Sequence, residues 1–449
     1  MFRELGALAG MWPRLRWSRD RLVDYQNRKL RKLLHHAYEN VPYYRRLFDR
    51  VGLKPQDVRS VADLAAIPAT SKSDIQDLPA EDRVARGIDP RQLIERHTGG
   101  STGQPSVIRR TWMEERLLNA FRFRTHRLWG SRVGDRVAIV TMDPGRQASD
   151  RQILSKILWK TGLQQIADID SRQPLPQLLE RLERWQPDVI AGYPGAISLI
   201  AQAMIESGRR SIRPRYVVTG GEVQTPLMRR QIEEGFCVGV FDLYGCHEFN
   251  LVAWQCPQGG ELHTCDDLLI AEVLRDNEPV APGQRGEVVG TNLHAYASPI
   301  IRFRLEDVVT RQSGRCACGL PHDTIGGVQG RMLDYFPLPD GRLFDPLEII
   351  GTVLHDRALW LRQYQVLQPR RDLVVLRAVV STMPSEERLR EIRSQASGLL
   401  GGVEFRIEFA SALELGAAGK FRVAHSMVRS RNDPFDWGRI AEDSARASN

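Results

Sequence analysis

The chain of 449 residues has no apolar run near the roughly 20 residues that a membrane-spanning helix needs. Its opening stretch, Leu5–Trp12, is short and weakly apolar and lacks a signal-peptide cleavage pattern. These absences lead us to expect a cytoplasmic protein. Cysteine is scarce, six in all, and in that compartment the thiols stay reduced and favour metal ligation over disulfides. Internal repeats and low-complexity tracts are missing. Charge of one sign is never blocked: 63 basic and 55 acidic residues leave a net +8, spread mainly over arginines. The densest basic stretches, Arg14–Arg21 and Arg28–Lys32, suit an anionic membrane, a nucleic acid or a phosphorylated cosubstrate, and in the simplest case a solvated helix face. A nucleic-acid binder would pair basic clusters with interleaved aromatics or space a zinc-finger helix, and neither pattern occurs.

What is present is an ordinary globular composition, 42% hydrophobic and 26% charged, in a chain long enough for two or three domains. A glycine- and hydroxyl-rich loop, Thr98-Gly99-Gly100-Ser101-Thr102-Gly103-Gln104-Pro105, follows the strand-like Gln92–His97. Glycines let backbone amides approach phosphate closely, and hydroxyls add donors. No lysine follows Gly103, so this is not a Walker A loop.

Hydrophobic periodicity predicts helices over Leu22–Asn40 and Trp112–Trp129, the second directly after the glycine loop with its positive end towards a bound anion. Ser60 with Asp63 reads as the cap of a short helix. Strands at Val137–Met142, Asp188–Ala191, Tyr216–Thr219 and Gly239–Leu243 alternate with helices at Ile153–Lys160, Leu175–Trp185 and Gly195–Glu206, the pattern of a parallel, covered sheet. Beyond Tyr244, strands at Leu251–Gln255, Leu268–Leu274 and Gly286–Thr291 suggest an antiparallel or barrel-like part. A boundary at Val328–Asp334 precedes a smaller α/β segment with strands Arg362–Gln368 and Leu373–Val379 and a helix Ser385–Leu399.

Downstream of the loop come Thr219-Gly220-Gly221-Glu222, Asp242-Leu243-Tyr244-Gly245-Cys246-His247-Glu248, Ile301–Asp307, Gly330-Arg331-Met332-Leu333-Asp334 and Gly419-Lys420-Phe421-Arg422. In this order and spacing the chain resembles the adenylate-forming (AMP-forming) acyl-CoA synthetase superfamily. The closest likeness within it is to the branch of phenylacetate–CoA ligase and capsular polysaccharide biosynthesis proteins. Tyr38–Tyr44 and Ile67–Asp74 add to that likeness.

The resemblance implies a carboxylate joined to the α-phosphate of ATP, pyrophosphate released, and the acyl-adenylate passed to a thiol, with coenzyme A the leading acceptor. It implies that Ser101, Thr102 and Gly103 hold the outer phosphates, that Glu248 carries Mg²⁺, a hard cation suited to carboxylate oxygen, and that Tyr244 and Gly245 meet the adenine. Gly221 and Glu222 match the loop that edges the adenine, or else cap the helix at Thr225-Pro226. Asp307 would accept the ribose hydroxyls, although Leu305-Glu306-Asp307 lacks the usual turn glycine. Arg331 would contact ribose or phosphate, and Lys420 would bridge the substrate carboxylate and the α-phosphate. Tyr193 and His247 are candidate pocket residues; His247, in place of a hydroxyl residue, takes either a proton-handling or a steric role. Leu333 stands where the hinge usually has an acidic residue, with Asp334 next. Substrates are thus a small carboxylic acid and coenzyme A or another acceptor, with a homodimer possible.

Cys256, His263, Cys316 and Cys318 form a separate set. Three thiolates and an imidazole make a closed tetrahedral Zn²⁺ shell without a vacancy for catalytic water, and relatives in the same branch carry a similar pattern. Cys265 or His322 are alternative ligands, and Cys237 and Cys246 read as buried structural cysteines. The expected architecture is α/β: a large domain over residues 1–330 with mainly parallel covered sheets and a β-rich, zinc-bearing part at about 250–330, then a small mobile α+β lid over 335–449. Alternatives are an adenylating ligase that uses an amine, alcohol or carrier protein, and an inactive zinc-stabilised scaffold.

Overall fold

The computed structural model describes residues 2–97, 107–142, 165–313, 315–354, 360–413, 420–429 and 437. The glycine loop and the expected helix Ile153–Lys160 lie outside the described residues. The chain forms two compact units that do not follow chain order: Met1–Arg132 with Phe241–Val328, and Val133–Val240 with Gln329–Asn449. The break at Val328 falls within the boundary predicted from sequence, but the C-terminal segment shares its unit with residues 133–240.

In the first unit, the long helix runs from Arg19 to Asn40, with Ser18 accepting from the Arg21 amide as its N-cap. Leu30, Leu33, Leu34 and Ala37 recur at helical spacing and are fully buried, joined by Phe48, Val58, Leu64 and Ile301. The motif Ile67–Asp74 is built into this core: Thr70 exchanges backbone hydrogen bonds of 2.8 Å with Arg302 and Arg304. The buried Arg302 guanidinium ion-pairs with Glu272 at 3.0 Å. Four strands, Glu278–Pro279, Leu269–Arg275, Arg285–Asn292 and Phe303–Thr310, form an antiparallel sheet, which includes the expected strands Leu268–Leu274 and Gly286–Thr291. Val240–Tyr244, Ala253–Gln255, Leu262–Thr264 and Thr324–Ile325 continue as an antiparallel run.

Two expectations are corrected here. Helix Trp112–Leu128 does not directly follow the glycine loop, because strand Val107–Arg110 intervenes and pairs with Ile94–His97 as a hairpin. Thr111 and Glu114 close the helix start as a reciprocal capping box. The N-terminal basic stretch is not simply a solvated face. Arg14 is buried against Asp267 at 2.7 Å, Arg124 meets the same carboxylate at 2.7 Å, and Arg19 reaches Asp266 at 2.6 Å. Burial works against an ionised Asp267, but the two guanidiniums hold its carboxyl far below the usual range.

In the second unit, strands Tyr216–Gly220, Val189–Gly192, Arg136–Thr141 and Gln165–Asp170 lie parallel in that order. The edge strand Gln165–Asp170 is not among the strands expected from sequence, because Asp168 and Asp170 interrupt its short apolar run. Helix Leu175–Trp185 covers the sheet with Leu178, Leu179 and Leu182 buried, and ends at Gln186 in the left-handed conformation. The C-terminal segment supplies a second sheet, ordered Glu404–Phe409, Leu373–Val380, Leu361–Arg370, Ala424–Ser426, with an antiparallel central pair and parallel flanks. Helix Glu386–Leu399, capped by Ser385, packs Leu389, Ile392 and Ala396 inward. Met228 of helix Pro226–Phe236 joins the same core. Among the described residues no helix is long and apolar enough to cross a membrane.

Candidate active site and metal centre

Each unit assembles its own set of the motif residues. In the first, strand Val240–Tyr244 delivers Tyr244 to the end of the sheet, and the tight loop after it returns the chain at Val252. Gly245 has no alternative there, since a Cβ would sit 2.3 Å from the Asn250 carbonyl oxygen. The Tyr244 hydroxyl donates to Asp307 Oδ2 at 2.7 Å, and both residues are buried. A buried carboxylate so engaged retains further lone pairs for hydroxyl donors. Glu248 is also buried, whereas His247 is exposed, with its carbonyl accepting from the Arg110 guanidinium. Arg110 in turn pairs with Glu115 at 2.8 Å. Burial raises the Glu115 carboxyl, but Arg110 and Arg96 outweigh it and hold the group below its ordinary value. Thus Arg110, on the hairpin that flanks the glycine loop, ties that hairpin to the Tyr244–Glu248 segment. Sequence reading missed it; an arginine two residues before the helix that follows the loop was its only signal.

The missing turn glycine resolves differently from expectation. Glu306 adopts φ 61°, the left-handed conformation that glycine favours. It lies within strand Phe303–Thr310, where the register against Arg285–Asn292 is broken just before Asp307. Two cysteine assignments are also corrected. Cys237 is exposed, at φ 56° just past helix Pro226–Phe236, and Cys246 is half-buried, its thiol raised by burial and by the Glu248 and Asp307 charges.

The predicted metal set converges. The ligand atoms of Cys256, His263, Cys316 and Cys318 all lie within 4.8 Å of one another. Cys316 Sγ is 3.6 Å from Cys256 Sγ, and Cys318 Sγ is 3.2 Å from His263 Nε2. A tetrahedron with Zn–S bonds of about 2.3 Å sets its sulfurs roughly 3.8 Å apart, so the shell has the size of a zinc site. The Gln258 and Leu320 amides donate to Cys256 Sγ and Cys318 Sγ, at 3.4 and 3.5 Å, donors that favour thiolate. The alternative ligands lie elsewhere in the network: Cys265 Sγ accepts from Arg124, and His322 Nδ1 accepts from the Asp266 amide at 3.2 Å.

In the second unit, strand Tyr216–Gly220 ends at Gly221, with φ 81°, where a Cβ would press to 3.0 Å of the Tyr193 ring. Lys420 Nζ donates to the Gly221 carbonyl at 2.8 Å and lies 5.6 Å from the Tyr193 ring centroid. Glu222 does not cap helix Pro226–Phe236, whose N-cap is Thr225. Its carboxylate instead accepts from the Phe421 amide at 2.7 Å and the Gly195 amide at 3.2 Å. Burial pushes the Glu222 carboxyl up to about 7, against the pull of those amides and of Lys420. Arg331 is exposed and starts a 3-10 turn that Asp334 closes; Asp334 also pairs with Arg422. Ser101, Thr102 and Gly103 lie outside the described residues, as does Gly419.

No protein-family model matches the chain. Among characterised proteins it is similar to a phenylacetate-coenzyme A ligase of Escherichia coli (strain K12), 28% identical over 331 residues, covering 70% of this chain and 73% of that protein. A phenylacetate-coenzyme A ligase of Thermus thermophilus is 26% identical over 393 residues, covering 83% and 84%. Protein CapK of Staphylococcus aureus is 23% identical over 306 residues, covering 66% and 64%. Among solved structures, 2-hydroxyisobutyryl-CoA ligase in the postadenylation state superposes with a TM-score of 0.73 at 20% identity, over 94% of this chain and 89% of the other, a likeness of fold. In sequence the chain is thus similar to the phenylacetate-coenzyme A ligases and to CapK, and in fold to 2-hydroxyisobutyryl-CoA ligase.

Proposed function

We propose that this protein is an ATP-dependent, AMP-forming acid–thiol ligase. A carboxylate oxygen of the substrate attacks the α-phosphorus of ATP and pyrophosphate leaves. The thiol of coenzyme A then attacks the acyl carbonyl and AMP leaves. The observation that carries this reading is Lys420 Nζ on the carbonyl of Gly221, since the two motifs are distant in sequence yet meet at the loop assigned to adenine. Positioning and charge neutralisation, rather than covalent chemistry, are what such a reaction asks of a protein. Lys420 would stabilise the charge that develops between carboxylate and α-phosphate. Asp307, buried beside Tyr244, would accept the ribose hydroxyls, and Tyr244 and Gly245 with Gly221 would border the base. Glu248 would hold the Mg²⁺ that accompanies ATP, which supplies charge neutralisation on the phosphates. Ser101, Thr102 and Gly103 are assigned to the outer phosphates, Arg331 to ribose or phosphate, and Tyr193 and His247 to the acid pocket. The segment from residue 335 would act as a lid that closes for adenylation and reorients for thioester formation. Zinc at Cys256, His263, Cys316 and Cys318 would be structural, fixing a loop that a small antiparallel sheet cannot hold alone.

The names of the relatives make phenylacetate the first acid to try, and the likeness to CapK, which is not named as a coenzyme A ligase, favours keeping other acceptors in view. The test is pyrophosphate release from ATP with a panel of aryl, fatty and amino acids, with and without coenzyme A. Acid-dependent release, with thioester formed only when coenzyme A is present, is the expected result. No release with any acid would turn the reading towards an inactive scaffold.

A further inference from the structure

The Glu222 carboxylate occupies a place that nucleotide binding does not explain. Its two oxygens are spent on main-chain donors from two segments far apart in sequence: Oε1 on the amide of Phe421, and Oε2 on the amide of Gly195 in the first turn of helix Pro194–Glu206. Phe421 is the residue next to Lys420, and its own ring is buried in the core of the C-terminal segment. Its Cβ passes so near Gly195 that a side chain there would come within 3.1 Å. The carboxylate therefore joins three pieces of chain at the one point where Lys420 is presented. Lys420 Nζ donates to Gly221 O and rests near the Tyr193 ring, with the Glu222 carboxylate close enough to feel its charge. The side chain is long and flexible, so the seating of its backbone limits where the ammonium can reach.

From this geometry we infer that Glu222 is a positioning residue for the adenylation step, a two-pronged clamp that seats the Lys420 loop on the first turn of helix Pro194–Glu206. The inference rests on Lys420 being the adenylation lysine. The clamp requires two acceptors. A glutamine has the same shape but one acceptor oxygen, so it can satisfy only one of the two amides and turns an NH₂ group towards the other. The groups that face the carboxylate are the Phe421 and Gly195 amides, the Lys420 ammonium and the Tyr193 phenol.

The test compares wild type, Glu222→Gln and Glu222→Ala, full length, in three assays. Adenylation is read as single-turnover pyrophosphate release with ATP and phenylacetate, thioester formation as transfer from premade phenylacetyl-adenylate to coenzyme A, and seating of the loop as hydrogen exchange at the Phe421 amide without ligand. We expect adenylation to fall on the order of 10-fold in the glutamine variant and up to 100-fold in the alanine variant. Thioester formation should stay within about twofold, and Phe421 exchange should speed up in both variants. Adding either change to Lys420→Ala should cost little more, because both act through one group. Unchanged exchange at Phe421 in folded Glu222→Gln would overturn the clamp, as would adenylation and transfer falling together. A wild type that releases no pyrophosphate would defeat the functional reading instead, and the exchange measurement would still decide the clamp.

Discussion

The Tyr244–Asp307 pair and the Lys420–Gly221 contact are both assigned to the nucleotide, yet they are built in opposite ways. Tyr244 and Asp307 are buried on two strands of one unit and joined through their side chains. The Lys420 contact is half-exposed and runs through main-chain groups, Gly221 O, Phe421 N and Gly195 N. A side-chain pair on two strands is fixed by the sheet. A contact through main-chain groups of an irregular loop is fixed only as well as the acceptors that hold it, which suits a group needed in one half-reaction and not in the other. The buried set should thus respond to substitution through stability, and the loop set through kinetics.

The sharpest blow to the rigid side of this contrast falls on the metal shell. Purified protein should hold about one zinc per chain, and Cys316→Ser should lower zinc content and the unfolding temperature together. Elemental analysis paired with thermal unfolding checks this, and metal-free, unchelated wild type would remove the zinc assignment. A smaller effect concerns pH. The Glu222 carboxyl is raised to about 7, so the fold holds its proton more tightly than the unfolded chain, in which a glutamate titrates near 4.3. That contribution is complete below about pH 4.3 and is lost as pH rises through about 7. Glu222→Gln has no such loss, so its stability relative to wild type should increase between pH 5 and 8 even as its adenylation falls. Unfolding midpoints of the two proteins across that range check the sign. The smallest effect belongs to Glu306. Because this residue holds φ 61° without being glycine, Glu306→Gly should stabilise the strand irregularity before Asp307 by about 1 kcal/mol, read from denaturant unfolding.

Much of this was legible in the sequence, for reasons that differ by element. Helix Leu175–Trp185 was readable to the residue because proline precedes it and its leucines recur on one face. The convergence of Cys256, His263, Cys316 and Cys318 was readable because scarce thiols and an imidazole stand out as a ligand set, whatever the fold between them. Residue identity misled at Glu306, where a non-glycine residue takes the left-handed conformation, and at Cys237, where a cysteine ends a helix in solvent. The Glu222–Phe421 bond was illegible: 199 residues separate the partners, and the acceptor finds a main-chain amide that carries no signature of its own.

The central claim is that Lys420 serves adenylation and only adenylation, and one paired measurement tests it most directly. In Lys420→Ala, pyrophosphate release from acid and ATP should fall on the order of 10²–10³-fold, as for a lost electrostatic donor, while ATP binding stays nearly intact. Thioester formation from premade acyl-adenylate and coenzyme A should survive in the same preparation. Loss of both half-reactions to the same degree, or of neither, would contradict the account.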